Sequence, residues 1–176
     1  MLTGEEIIKE VENGNIIIKP FNKICVNPNS YNMTLADELL VYTDDILDCA
    51  KENNTRVIKI PKEGLVLAPG TLYLAKTNEV TKTDKYVPQI SGRSSIGRIG
   101  LTVHTCAGMG TVGYEGSWLL GITCVRPTKI FANMELCQIY FLPIEGKVKK
   151  TYSGKYQKKK DITPSKSYQD FNIKTD

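Results

Sequence analysis

The alternation of apolar and polar positions indicates a chain built mainly from short β-strands. Apolar runs recur along the sequence, and turn signals separate them about every eight to twelve residues, a spacing typical of all-β folds. Two polar stretches, residues 44–56 and 77–84, stand outside these runs. We therefore predict a mainly β fold, either a distorted barrel or a jelly roll. The predicted strands are residues 15–20, 39–43, 57–60, 65–67, 71–75, 117–124, 129–131 and 135–141.

A short helix is predicted at the N-terminus, over residues 3–13. Thr3 is a suitable N-cap, and Glu6 stands three residues later, where it can complete a capping box. Apolar residues recur along one face of this segment. Gly14 follows it and is a good residue for ending a helix.

The composition is that of an ordinary soluble domain. The chain has 176 residues, which suits one domain, and 41% of them are hydrophobic and 24% charged. The net charge of +4 is too small to indicate nucleic acid as a partner. No apolar run approaches the length of a membrane helix, and the acidic N-terminus does not resemble a signal peptide. We therefore predict no association with a membrane.

The cysteines and the histidine restrict the chemistry further. Five cysteines stand at positions 25, 49, 106, 124 and 137, without a CxxC pair or a Cys/His cluster. An odd number of cysteines without a signal peptide fits reduced thiols and a cytoplasmic location. His104 is the single histidine, so we predict no zinc site. This argues against the zinc-dependent cytidine deaminases.

The densest group of polar functional side chains lies in residues 89–121. Arg93, Ser94, Ser95 and Arg98 supply two guanidinium groups and two hydroxyls beside several glycines. A guanidinium matches the oxygens of a phosphate in a bidentate way. Arginines near serines are more often simply solvated, so the pattern alone leaves both interpretations open.

A resemblance favours the phosphate interpretation. Residues 91–101, SGRSSIGRIGL, resemble the signature of the dCTP deaminase branch of the dUTPase superfamily. Further segments match the family's elements at the family's spacing, so the resemblance extends over nearly the whole chain. These segments are 15–21, 29–35, 103–108, 112–116, 135–141, 152–157 and 163–165.

The resemblance implies a dUTPase-like barrel at residues 1–146 and a C-terminal tail at residues 147–176 that closes over the nucleotide. A lysine-rich tail of this kind would otherwise be predicted as disordered. The family also implies a homotrimer with sites shared between subunits. Its ligand would be dCTP, with Mg²⁺ on the phosphates and no zinc.

The family's site residues transfer one position at a time. Arg93 and Ser95 fall on phosphate-binding positions, and Ser94 and Arg98 on positions that work with the catalytic water. Tyr114 matches the aromatic residue of the hairpin turn. The ligand-binding positions implied in this way are Arg93, Ser94, Ser95, Arg98, Thr111, Tyr114, Gly121, Tyr152, Lys155, Tyr156 and Lys159.

Two of these positions depart from the family pattern. Gly121 stands where the family has its catalytic glutamate, and Thr111 stands where it has the aspartate that engages the sugar. Glycine cannot transfer protons, and general acid–base catalysis contributes typically about 10²–10⁴-fold. We therefore predict a nucleotide-binding protein that has lost deamination, leaning away from an enzyme. It would bind or sequester a nucleotide or a nucleotide-derived signal through its phosphates.

Three alternatives remain. The chain can be an active dCTP deaminase that uses a different carboxylate, either Glu115 or one from a neighbouring subunit. It can be a regulatory or protein-interaction scaffold. A third alternative is weak binding of nucleic acid through lysines in residues 147–160, which the modest net charge of +4 does not favour.

Overall fold

Antiparallel strand pairing organises the fold. The computed structural model describes residues 1–105 and 108–172. The helices are α1 (Gly4–Glu12), α2 (Ser94–Gly97) and α3 (Tyr168–Asn172), and a 3₁₀ turn covers Lys23–Cys25. The strands are β1 (Ile16–Lys19), β2 (Val26–Asn27), β3 (Ser30–Thr34), β4 (Glu38–Tyr42), β5 (Thr55–Lys59), β6 (Leu65–Leu67), β7 (Tyr73–Thr83), β8 (Tyr86–Gly92), β9 (Leu101–Thr105), β10 (Glu115–Cys124), β11 (Thr128–Ile130) and β12 (Glu135–Pro143).

The described strands form three sheets. The six-stranded sheet has the order β5-β4-β7-β10-β9, with β1 also paired to β7. The four-stranded sheet has the order β2-β3-β12-β8, and β6 pairs with β11. The predicted mainly β class is confirmed. A closed barrel is not formed within the described residues, because the outer strands of the two larger sheets end the hydrogen-bonded ladders.

The core lies between these sheets and fixes which way β10 faces. Leu120 and Ile122 of β10 are fully buried in the same apolar cluster as Ile139 and Phe141 of β12. Because side chains alternate along a strand, Leu119 and the other odd-numbered positions nearby face the opposite side. That outer face forms one wall of the site described below.

The N-terminal helix is confirmed. Helix α1 covers Gly4–Glu12, and the hydroxyl of Thr3 accepts a hydrogen bond from the Glu6 N–H at 3.3 Å. Gly14 follows with φ of 74°, a left-handed conformation that glycine adopts without strain.

The polar stretch at residues 77–84 is largely a strand, contrary to expectation. Strand β7 continues to Thr83, and its alternate polar side chains are buried. These side chains are tolerated inside because they find hydrogen-bond partners. The Thr77 hydroxyl accepts from the Trp118 N–H at 3.0 Å, the Thr81 hydroxyl accepts from the Trp118 indole at 2.8 Å, and the Thr83 hydroxyl donates to the Asn15 carbonyl at 2.9 Å.

Replacing Glu10 with glutamine should destabilise the fold in a pH-dependent way. The buried carboxylate accepts from Lys85 Nζ and the Tyr86 hydroxyl, each at 2.9 Å. The hydrogen bond from Lys85, helped by that from Tyr86, holds the pKa of Glu10 below its ordinary value, although burial opposes this. We expect a loss of about 1–2 kcal/mol near pH 7, since Lys85 is half exposed and solvent weakens the pair.

The sign of the pH dependence follows from the lowered pKa. The contribution of Glu10 is complete above the ordinary glutamate pKa and is lost as the pH falls through the lowered folded value. Urea unfolding of wild type and Glu10→Gln should therefore differ most near neutrality and converge in acid. A difference in stability that grows as the pH falls would contradict this account.

Candidate functional site

A cavity of about 550 Å³ opens between the β10 hairpin and the C-terminal tail, and we call it the hairpin–tail cavity. Its size falls in the range of small-molecule sites. Its lining is mostly aromatic and aliphatic, with two lysines and one aspartate. The lining residues are Tyr42, Leu72, Leu74, Lys76, Met109, Gly110, Thr111, Tyr114, Ser117, Trp118, Leu119, Tyr152, Tyr156, Lys159, Asp161, Thr163, Pro164 and Ser165.

Gln157 attaches the tail to the hairpin. Its amide nitrogen donates to the carbonyls of Gly113 at 2.7 Å and Tyr152 at 2.9 Å. Its amide oxygen accepts from the backbone N–H groups of Glu115 at 2.9 Å and Lys158 at 3.2 Å. The Gln157 side chain thus connects four backbone groups of the hairpin and the tail. It stabilises the position of the tail beside the hairpin, although Gln157 itself does not line the cavity.

Backbone hydrogen bonds continue this attachment on both sides. Tyr152 donates to the Val112 carbonyl at 2.8 Å, and Ser117 donates to the Lys159 carbonyl at 3.0 Å. Gly113, at φ of 84°, permits the close approach, since a Cβ there would lie 2.4 Å from the Cβ of Thr151. The tail therefore follows the hairpin for several residues.

Three aromatic rings form one wall of the cavity. The rings of Tyr114 and Trp118 have centroids 5.2 Å apart, and those of Tyr114 and Tyr152 are 5.9 Å apart. The hydroxyl of Tyr114 donates to the Ser117 carbonyl at 2.7 Å. Burial raises the pKa of Tyr114 to about 12, so it stays protonated near neutral pH. A flat ring such as a sugar or nucleobase can pack against such a wall.

A separate polar pocket of about 320 Å³ lies at the start of α2, and we call it the arginine–serine pocket. Arg93 Nη1 lies 2.8 Å from Glu135 Oε2 and also donates to the Glu135 carbonyl at 3.4 Å. The neighbouring Ser94 and Ser95 are exposed. The lining residues are Asn27, Asn32, Gly92, Arg93, Ser94, Ser95 and Gln138.

Eight of the eleven predicted site residues line one of the two cavities. Five of them line the hairpin–tail cavity, namely Thr111, Tyr114, Tyr152, Tyr156 and Lys159. Arg93, Ser94 and Ser95 line the arginine–serine pocket. The two cavities share no lining residue among the described parts of the chain, so a single chain does not bring the two groups together.

The other three predicted residues lie outside both linings as described. Arg98 is exposed at the end of α2. Lys155 forms an ion pair with Asp170 and donates to the Lys166 carbonyl at 3.1 Å. Gly121 is a buried residue of β10, paired with Leu74 on one side.

Sequence reasoning missed three residues of the site. Lys76 and Asp161 line the cavity, with Lys76 Nζ 3.6 Å from Asp161 Oδ1. Gln157 belongs to a segment that resembles the family's tail, and that was the available signal for it. Lys76 and Asp161 carry no such signal, because the path of the tail alone brings them together.

Other observations limit the chemistry. Among residues 1–105 and 108–172, no three His, Cys, Asp or Glu side chains are grouped to hold a metal ion. The cysteines at positions 25, 49, 124 and 137 are free thiols, and the predicted thiol at 106 lies outside the described residues. No described helix is long and apolar enough to cross a membrane.

The fold is that of a mainly β protein with two cavities, and the chain belongs to the dCTP deaminase-like family, whose model matches residues 1–144. It is 54% identical over 171 residues to "dCTP deaminase, dUMP-forming" of Clostridium beijerinckii, covering 97% of this chain and 98% of the relative. A protein of the same name from Leptospira biflexa is 46% identical over 174 residues, covering 99% of each chain.

A solved structure supports the fold. The 2'-deoxycytidine 5'-triphosphate deaminase of Agrobacterium tumefaciens aligns with a TM-score of 0.64 at 17% identity, covering 80% of this chain and 47% of that one. At this identity the likeness supports the fold and not the activity.

These relatives correct one prediction. The inclination away from an enzyme, drawn from Gly121, is wrong, because relatives at 46–54% identity over nearly the whole chain are named as enzymes. The inference gave too much weight to one position. The alternative that the chain is an active dCTP deaminase is the better supported one.

Proposed function

We propose that this chain is an enzyme that deaminates dCTP and releases dUMP, a conversion in which two water molecules are consumed and ammonia and pyrophosphate leave. The observation that carries the proposal is the hairpin–tail cavity, with an aromatic wall for the nucleoside, in a chain 54% identical to a protein with that name. Thr111 and Tyr114 lie where the sugar would pack.

The phosphates would bind at the arginine–serine pocket. Arg93 offers a guanidinium, and Ser94 and Ser95 offer exposed hydroxyls, which are suitable donors to phosphate oxygens. Mg²⁺ would enter as the counter-ion of the triphosphate. The hairpin–tail cavity and the arginine–serine pocket share no lining residue among those that the structure describes, so one chain does not form the whole proposed site. This favours a homotrimer, in which the arginine–serine pocket of one subunit completes the hairpin–tail cavity of another.

Proton transfer needs a carboxylate at a position other than 121. Water must lose a proton as it attacks C4 of cytosine, and the ring and the departing amine must each gain one. Glu115, one candidate from the sequence, does not line the cavity, and its carboxylate lies 3.5 Å from Lys82 Nζ. A base therefore has to come from another residue of the cavity or from a neighbouring subunit.

The test is to incubate the purified chain with dCTP and Mg²⁺ and to separate the nucleotides by chromatography. The proposal expects dUMP, with one ammonia released per dUMP formed. Unchanged dCTP under conditions in which the Clostridium beijerinckii relative forms dUMP would overturn it.

Replacing Gly121 with glutamate should change the rate of deamination by less than tenfold, because the chain already has a base. The measurement is kcat for dUMP formation by wild type and Gly121→Glu under identical conditions. A gain of about 100-fold or more would show that the chain's own base is missing, since that is the scale of general base catalysis.

A further inference from the structure

The outer face of β10 and β7 lacks the family's carboxylate but still lines the cavity. Leu120 is buried in the core, so Leu119 and Gly121 face the other side of the sheet. Leu119 pairs with Lys76, and Gly121 pairs with Leu74. Leu74, Lys76 and Leu119 line the hairpin–tail cavity. A side chain at position 121 would therefore lie on the same face of the sheet as these three lining residues.

The tail crosses the same face and is fixed there on both sides of Asp161. Before it, the Lys160 carbonyl accepts a hydrogen bond from Lys76 Nζ at 2.8 Å. After it, Ile162 is buried in a small apolar cluster with Leu40 and Leu74. These contacts hold the backbone of Asp161 over the sheet and place its carboxylate 3.6 Å from Lys76 Nζ.

Asp161 carries the one carboxylate among the described residues that line the cavity. Glu38 lies 4.0 Å from the same lysine but does not line the cavity. The Asp161 side chain is 94% exposed, so its oxygens are free to meet a water molecule beside a bound nucleotide. The lysine limits where the carboxylate can lie.

We propose that Asp161 is the general base for deamination, a role that rests on the proposed function. Its carboxylate takes a proton from water as the water oxygen bonds to C4 of the cytosine ring. The same proton passes to N3, which gives a tetrahedral intermediate. The remaining hydroxyl proton moves to the amino group, the C4–N bond breaks, and ammonia leaves as the C4 carbonyl forms. Atoms and charges balance without an oxidant or a reductant.

The test compares Asp161→Asn with Glu38→Gln in the full-length chain, with dCTP and Mg²⁺. Both variants remove a carboxylate that contacts Lys76, but only Asp161 lines the cavity. We expect kcat to fall about 10²–10⁴-fold in Asp161→Asn, with KM changed less than threefold. Glu38→Gln should stay within threefold of wild type in both constants.

A second variant separates base catalysis from positioning of the tail. Because position 121 lies on the face of the sheet that carries Leu74, Lys76 and Leu119, the double variant Asp161→Asn, Gly121→Glu should regain at least tenfold of the lost kcat. The proposal is overturned if Asp161→Asn is no slower than Glu38→Gln, if KM rises while kcat holds, or if the double variant is as slow as Asp161→Asn. Absence of any deamination by the wild-type chain would instead overturn the proposed function, and this role with it.

Discussion

Replacing Arg93 with alanine should lower kcat/KM for dCTP by about 10²–10⁴-fold. In the proposed site its guanidinium makes two parallel hydrogen bonds to a phosphate. Hydrogen bonds to charged groups contribute about 1.5–3 kcal/mol each, and about 1.4 kcal/mol corresponds to tenfold. Arg93→Lys keeps the charge but loses the paired geometry, so it should lie between wild type and Arg93→Ala.

The fold should tolerate this substitution. Glu135 loses its ion pair with Arg93 but keeps the hydrogen bond from Asn32 Nδ2 at 3.1 Å, and its side chain is one-third exposed. The matched control is Arg56→Ala, an exposed arginine on β5. The measurement is steady-state dUMP formation, with circular dichroism to verify folding. Equal kcat/KM for Arg93→Ala and Arg56→Ala would remove Arg93 from the phosphate site.

Replacing Gln157 with alanine should raise KM for dCTP by about 10–100-fold. The side chain makes two hydrogen bonds to the hairpin backbone, at Gly113 and Glu115. It makes two more within the tail, at Tyr152 and Lys158. Each such bond contributes about 0.5–1.5 kcal/mol. Without them the tail should open, and the cavity should lose the wall that Tyr152, Tyr156 and Lys159 supply.

Opening of the tail is local and should barely affect global unfolding. Limited proteolysis should therefore cut the tail of Gln157→Ala faster than that of wild type, while the thermal midpoint stays nearly unchanged. Gln169→Ala, in helix α3 of the same tail, is the control. A Gln157→Ala variant with wild-type KM and protease resistance would contradict this role for Gln157.

Much of the fold could be predicted from the sequence, because local patterns determine it. The cap at Thr3 and the left-handed Gly14 are local features, and both are found as expected. Strand β7 extends past the predicted strand at residues 71–75, because the polar residues that follow, Thr77 among them, lie outside the apolar pattern. Their burial depends on partners such as Trp118, which are distant in sequence and invisible to a local pattern.

The residues of the candidate site also fall into those that local motifs predict and those that only the fold brings together. Motif residues such as Tyr114 and Tyr152 could be predicted because a family resemblance identifies them. Lys76 and Asp161 could not, since strand register places one and the path of the tail places the other. The error about enzymatic activity has the same origin, because a missing side chain on β10 can be read from the sequence, whereas the replacement that we propose from the tail cannot.

An anion that binds in the arginine–serine pocket has to compete with Glu135 for the Arg93 guanidinium, because the two side chains already form an ion pair. An anion that arrives there gains only the difference between its own contact with the guanidinium and the contact that Glu135 already makes. A small free anion, which has no group for the aromatic wall, gains little from this competition. In the proposed site a nucleotide would add the packing of its sugar and base in the hairpin–tail cavity, so the Glu135 carboxylate would make the pocket favour whole nucleotides over isolated phosphate.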